Sequence, residues 1–183
     1  MSGPAGRIVD LYEMHAADWD KARGKTLFER PWLDRFTMGL PTQAAILEPI
    51  AAHFIASGFS VTGVDSAPSL IALCEVRFPS HEWLVADMRE LALGRRFDRL
   101  IAWDSFFHLT FEDQRRMFPI FAAHAGKGAM LMFTSGPRHG EAIGTFEGEP
   151  LYHASLDPGE YRALLGENGF AVIDHVAEDP TCG

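Results

Sequence analysis

Cysteine is nearly missing from this chain: of its 183 residues only Cys74 and Cys182 are cysteines. Two such distant residues make neither a disulfide framework nor a metal-type spacing. Cys74, between Leu73 and Glu75 in an apolar helical stretch, reads as a small buried hydrophobe. No apolar run approaches the length of a membrane span. The N-terminus MSGPAGR also lacks the apolar centre of a signal peptide. The expectation is therefore a cytoplasmic protein without a membrane partner. Basic charge is scarce as well. Sixteen Lys and Arg stand against 25 Asp and Glu, for a formal net charge of -9. No Lys/Arg-rich face is visible, which argues against a nucleic-acid backbone as principal partner. The eight histidines form no HxxxH or HxH pair, so no metal is assigned.

What is present is enough for one compact domain. A hydrophobic content of 47% over 183 residues supports a full core, and the chain reads as a single domain over 1–183. Residues 1–40 hold two helical stripes, Ile8, Tyr12, His15 or Ala16 and Trp19, then Trp32, Leu33, Phe36 and Leu40. They form a candidate cap over a ligand edge. The remainder, 44–183, alternates strand and helix, which makes a parallel, doubly wound α/β sheet.

The strands carry the chemistry. Ser60–Val64 reads as a strand that ends on Asp65, and Ser66 is placed as N-cap of the helix that follows. Trp83–Ala86 ends on Asp87 and Met88. Arg99–Trp103 ends on Asp104 and Ser105. Three successive strands thus deliver an acid to one sheet edge, where ligands of open α/β sheets bind. An acid at the end of the second strand can accept both ribose hydroxyls, and Asp65 is read as that carboxylate.

Thr110 to Asp113 is a capping-box pattern opening a helix closed by Gly126, with Pro119 predicting a kink or early end. Ala129–Thr134 is a fifth, apolar strand. Gly136–His153 shows little periodicity and reads as a binding loop or lid. Asp157 and Pro158 start a last helix, and Phe170–Val176 is a sixth strand.

One part is conspicuously lacking. Ala44–Leu47 is a short strand, and Glu48-Pro49 opens a helix through Ala56, leaving no glycine-bearing connection.

The pieces GFSVTGVDSAPSLI, WLVADM, FDRLIAWDSFFHLT and GKGAMLMFTSG resemble the class I S-adenosylmethionine-dependent methyltransferases of small-molecule type. The resemblance covers roughly residues 8–176 and implies a Rossmann-like fold, S-adenosylmethionine as cofactor and a small-molecule acceptor. It assigns the ribose to Asp65. The adenine falls to Asp87 and Met88, with Ser66 and Ala67 in the same pocket. The methionine moiety and substrate fall to Trp103, Asp104 and Ser105. Tyr12, Trp19 and Arg23 resemble the N-terminal residues that close over the cofactor's carboxylate, a role for which an Arg is suited.

Two family features have no counterpart, the acidic glycine loop after the first strand and the last antiparallel strand. Either the sequence carries only part of the polypeptide, which the intact caps and strand ends favour, or the domain has degenerated and binds no cofactor. His108, His139 and His153 are the candidate bases, none singled out. A nicotinamide-dependent oxidoreductase is the alternative enzyme class, although it would want a G-x-G-x-x-G turn. A non-catalytic scaffold is the other.

Overall fold

The computed structural model describes residues 4–23, 28–41, 43–48 and 51–179. Helices α1 (Ile8–Met14), α2 (Ala16–Arg23) and α3 (Arg30–Thr37) precede the sheet. Then come β1 (Ala45–Glu48), α4 (Ala51–Ala56), β2 (Ser60–Asp65), α5 (Pro68–Arg77), β3 (Glu82–Val85) and β4 (Phe97–Ala102). Helix α6 (Phe111–His124), β5 (Ala125–Phe133), β6 (Gly140–Phe146), β7 (Glu149–Ser155) and α7 (Pro158–Glu167) complete the order. Five strands form one parallel sheet in the order β3-β2-β1-β4-β5.

Alternation along the central strands explains why both faces are covered. In β1, Ile46 turns to a core with Leu33, Phe36, Phe54 and Val61, while Leu47 turns to the opposite core. In β4, Leu100 and Ala102 face one core and Ile101 the other. A strand buried on both sides needs helices on both sides, hence the double winding. The α6 side is aromatic: Phe106, fully buried, touches Phe118, Phe121, Phe133 and Tyr161. Each such ring stabilises the fold by about 1.5–3 kcal/mol through burial.

Polar groups fix the layers. Gln114 is 0% exposed; its amide donates to the carbonyls of Leu109 and Ala154 and its oxygen accepts the Tyr161 hydroxyl at 2.6 Å. Tyr161 in turn accepts the Leu156 amide at 2.9 Å. This network joins α6, α7 and the end of β7. On the other face, buried Arg99 of β4 donates from Nε to the Phe36 carbonyl at 2.5 Å, in the last turn of α3. Its guanidinium also lies over the Phe36 ring at 5.6 Å.

Several expectations are corrected. The segment 136–153 is mostly not an irregular loop: β6 and β7 pair as an antiparallel hairpin from Gly140↔Ser155 to Phe146↔Glu149. Its turn is Glu147-Gly148, with φ of 50° and 83°, a two-residue turn of the type whose twist matches paired strands. Residues 170–176 are not a strand. Val172, Ile173 and Val176 are exposed there, and no described strand pairs with them; an apolar run without a ladder makes no strand. Ser66 does not cap α5. Ala67 holds the N-cap position, the Asp65 carboxylate takes the Ala67 amide, and Ser66 Oγ donates to Ala86. Helix α6 runs past Pro119 to His124, and β5 starts directly at Ala125. The N-terminal stripe is broken at His15 into two helices. Glu48 belongs to β1 and not to the next helix, and Pro49 lies outside the described residues.

Candidate cofactor site

Strand order reverses between β1 and β4: the chain winds outward through β2 and β3, then returns to β4 on the other side of β1. Crevices open at the carboxyl edge beside such a reversal. Here a cleft of about 780 Å³ lies there, within the size range of small-molecule sites. Asp65, Asp87 and Asp104 all line it, as do Ser66, Met88 and Trp103. The acids predicted from three strand ends are thus brought together in one place. Tyr12 and Trp19, from α1 and α2, form part of the wall. The Arg23 side chain lies outside the described residues.

Asp65 stands at the end of β2. Burial pushes its carboxyl up, assisted by the nearby charge of Glu13 and opposed by the amides of Ala67 and Ser66. The bond from the Ala67 amide to Oδ1 is 2.7 Å, so the carboxylate is oriented before any ligand arrives. Helix α1 is pinned beside it, because Glu13 accepts both the amide and the hydroxyl of Ser69. Asp20 of α2 pairs with Arg77 at 2.6 Å.

Asp87 is differently placed. Arg89 folds back on it with Nε 2.9 Å from Oδ1 and a second nitrogen 2.5 Å from Oδ2. The same guanidinium reaches Asp113 of α6 at 3.2 Å. Hydrogen bonding to Arg89 holds the Asp87 carboxyl below the usual carboxylate range. Arg89 thus occupies both oxygens of this carboxylate.

Asp104 sits in the left-handed backbone region at φ 49°, which Asp tolerates better than most residues. Its amide takes Thr134 Oγ1 as acceptor at 2.9 Å, tying the β4 tip to the end of β5. Ser105 follows, with its Oγ buried and without a hydrogen-bond partner among the described residues.

The three histidines separate by environment. His139 is exposed and stacked on Phe111 at 4.5 Å. His153, half-buried on β7, packs 5.0 Å from Phe107 and 4.9 Å from His108, and burial lowers its pKa. His108 alone lines the cleft among the three. It is 6% exposed, with Nδ1 2.7 Å from the Tyr152 carbonyl and Nε2 3.0 Å from the Tyr12 hydroxyl. Burial lowers its pKa to about 4.

Two features near this edge escaped the sequence reading. Glu48 ends β1 beside Gly63 of β2, so four strands, not three, finish at or just before an acid; its proximity to Pro49 hid it in a supposed helix start. The hairpin was the other, and Phe146 at its turn packs on Tyr12, His15 and Trp19 at 5.9–6.0 Å. The turn-forming Glu147-Gly148 pair was the available signal. Only residues 49 and 50 connect β1 to α4, in keeping with the missing glycine loop. Among the described residues no group of three His, Cys, Asp or Glu is arranged to hold a metal, and no helix is long and apolar enough to cross a membrane.

No protein-family model and no curated protein matches the sequence. The likeness is one of structure. The chain superposes on a magnesium protoporphyrin IX methyltransferase from Synechocystis PCC 6803 with TM-score 0.70 and 14% identity, over 95% of this chain and 89% of that one. A 1,6-didemethyltoxoflavin-N1-methyltransferase from Burkholderia thailandensis gives 0.68 and 16%, over 95% and 82%. An amino pentose methyltransferase from Micromonospora echinaspora gives 0.64 and 20%, over 85% and 88%. These were solved with S-adenosylmethionine or S-adenosylhomocysteine bound. The fold is therefore the Rossmann-like fold of S-adenosylmethionine-dependent methyltransferases.

Proposed function

We propose that this chain binds S-adenosylmethionine at the carboxyl edge of its sheet and directs transfer of the methyl group to a small-molecule acceptor. The observation that carries this reading is the convergence of Asp65, Asp87 and Asp104 on one cleft at the point of strand reversal. The donor set fits the group. Asp65 offers a pre-oriented carboxylate for ribose hydroxyls, Met88 an apolar contact for the adenine, and Asp104 a negative charge for the cationic end. The side chain of Arg23 is assigned to the cofactor's carboxylate.

The cofactor supplies the reactive methyl carbon, and the protein's share is alignment and exclusion of water. Tyr12 and Trp19 from the N-terminal helices wall the cleft, and Phe146 from the hairpin packs against both, which serves both ends. The acidic surface and modest cleft favour a small molecule over a nucleic acid. A cytoplasmic location is part of the same reading.

A non-catalytic scaffold has one observation in its favour, the two-residue link from β1 to α4, which leaves no glycine loop to approach a ligand. Titration calorimetry with S-adenosylmethionine and with NAD decides among the readings. Binding of the first supports the methyltransferase, binding of the second alone an oxidoreductase, and silence from both the scaffold.

A further inference from the structure

We propose that Tyr12 and His108 act together as the proton acceptor of the cleft, and that the methyl acceptor is an aromatic hydroxyl whose proton this pair receives. This role rests on the methyl-transfer reading above and adds the acceptor class and the groups that handle its proton.

The direction of the hydrogen bonds is fixed by chemistry. A carbonyl oxygen only accepts, so the 2.7 Å contact with Tyr152 requires the proton on His108 Nδ1. In the neutral ring that leaves a lone pair on Nε2. The Tyr12 hydroxyl, 3.0 Å away, therefore donates to Nε2. The carbonyl that sets the tautomer belongs to β7 and is itself held by the hairpin pairing. Tyr12 is packed on three sides, against Trp19 at 5.3 Å, His108 at 5.6 Å and Phe146 at 5.9 Å. Both members of the pair line the cleft. Burial keeps the imidazole neutral down to about 4, so Nε2 stays an unprotonated acceptor for the Tyr12 hydroxyl throughout the ordinary pH range, and the imidazolium, once formed, is a strong acid that gives its proton up readily.

The surroundings specify the acceptor. Tyr12, Trp19 and Trp103 give the cleft aromatic walls suited to a planar ring. Ser105 Oγ, three residues before His108, is buried with no partner among the described residues. A hydroxyl bound near the β4 tip would satisfy it. In the reaction the hydroxyl oxygen of the acceptor bonds to the methyl carbon as the carbon–sulfur bond breaks, its electron pair remaining on sulfur. The acceptor's proton passes to the Tyr12 oxygen and Tyr12's own to His108 Nε2. The imidazolium then returns its proton to water by way of Tyr12 once product has left, and the negative charge of Asp104 favours it meanwhile.

The test compares wild type, Tyr12→Phe and His108→Asn with S-adenosylmethionine and two probe acceptors, catechol and 4-nitrocatechol. The second is far more acidic and ionises near neutral pH, so it does not need a base. Both substitutions are expected to slow methylation of catechol about 100-fold and to slow 4-nitrocatechol by about threefold at most, and His108→Asn is expected to leave the Kd of S-adenosylmethionine by calorimetry within about twofold. Tyr12→Phe keeps the ring and its packing, so it carries the test should His108→Asn fail to fold. Equal losses on both acceptors would make the pair merely structural and overturn the proposal. A loss in His108→Asn matched by weaker cofactor binding would make the histidine a support of the cofactor site and overturn it too. Wild type that binds S-adenosylmethionine but methylates neither probe overturns the acceptor class, whereas wild type that binds no S-adenosylmethionine overturns the methyl-transfer reading and the pair with it.

Discussion

The interior beside α6 and the carboxyl edge of the sheet bury polar groups on opposite terms. At Gln114 and Tyr161 every partner is another part of the fold, and the network is closed. Around the cleft the polar groups are held by partners that a ligand can displace or share. Asp87 is held by Arg89, and the Tyr12 hydroxyl by His108. Ser105 Oγ has no partner among the described residues. The lesson is that satisfied polar burial builds the scaffold, while incomplete or exchangeable burial marks where something else is meant to sit.

Breaking the closed side should cost most. Gln114→Ala removes the donor to two core carbonyls and the acceptor of the Tyr161 hydroxyl proton, and a loss of about 3 kcal/mol or more is expected. Urea unfolding measures it. A loss below about 1 kcal/mol would mean that water repairs the network and that the contrast between the regions is weaker than drawn.

Acid should break the open side by a similar amount. The folded-state pKa of His108 is lowered from 6.5 to about 4, so between those values the unfolded chain binds more protons than the folded one. Its contribution is fully present above the unfolded value and is lost as pH falls toward the folded one. The loss comes to roughly 3 kcal/mol. The half-buried His153 shifts in the same direction and adds to it. Unfolding curves at pH 7.5 and 4.5 on wild type and His108→Gln test this; a variant as acid-sensitive as wild type would refute the assignment.

Two smaller effects sharpen the contrast. Asp65→Ala is expected to weaken S-adenosylmethionine binding by about 1–3 kcal/mol, as for lost hydrogen bonds to a charged group. Unchanged affinity by calorimetry would remove Asp65 from the ribose site. Arg89→Met frees Asp87 from a partly exposed ion pair, and a gain of under about 1 kcal/mol in the same titration is expected. Weaker binding instead would show that Arg89 holds ligand and does not compete with it.

The legible part of the molecule was the part whose signal is local. Val61 and Val64 beside Asp65, or Leu100 and Ile101 before Asp104, announce strands and their polar ends, because central parallel strands are apolar on both faces. Strand limits moved by one to four residues, since hydrogen-bond partners and not side chains set where pairing stops. The hairpin was hidden because Gly140, Gly144 and Gly148 read as loop residues, whereas a strand as exposed as β6 needs little apolar content. Residues 170–176 show the converse. Their apolar run Phe170–Ile173 fits a strand, yet a strand exists only where hydrogen bonds to a neighbour are made, and none of the described strands pairs with it. His108 was visible as a histidine, but its tautomer and its link to Tyr12 depend on a carbonyl 44 residues away, which no spacing encodes.

The anchoring of α3 by Arg99 bears on the order in which the chain assembles. The guanidinium and the Phe36 carbonyl are 63 positions apart, so during synthesis the early helix leaves the ribosome long before its anchor is made. The bond can form only after β4 has joined the sheet, and contacts of such long range form slowly. In pulse-labelled refolding, the amides of α3 should gain protection after those of β1 and β4, and Arg99→Met should delay them further while leaving the strands' timing unaltered.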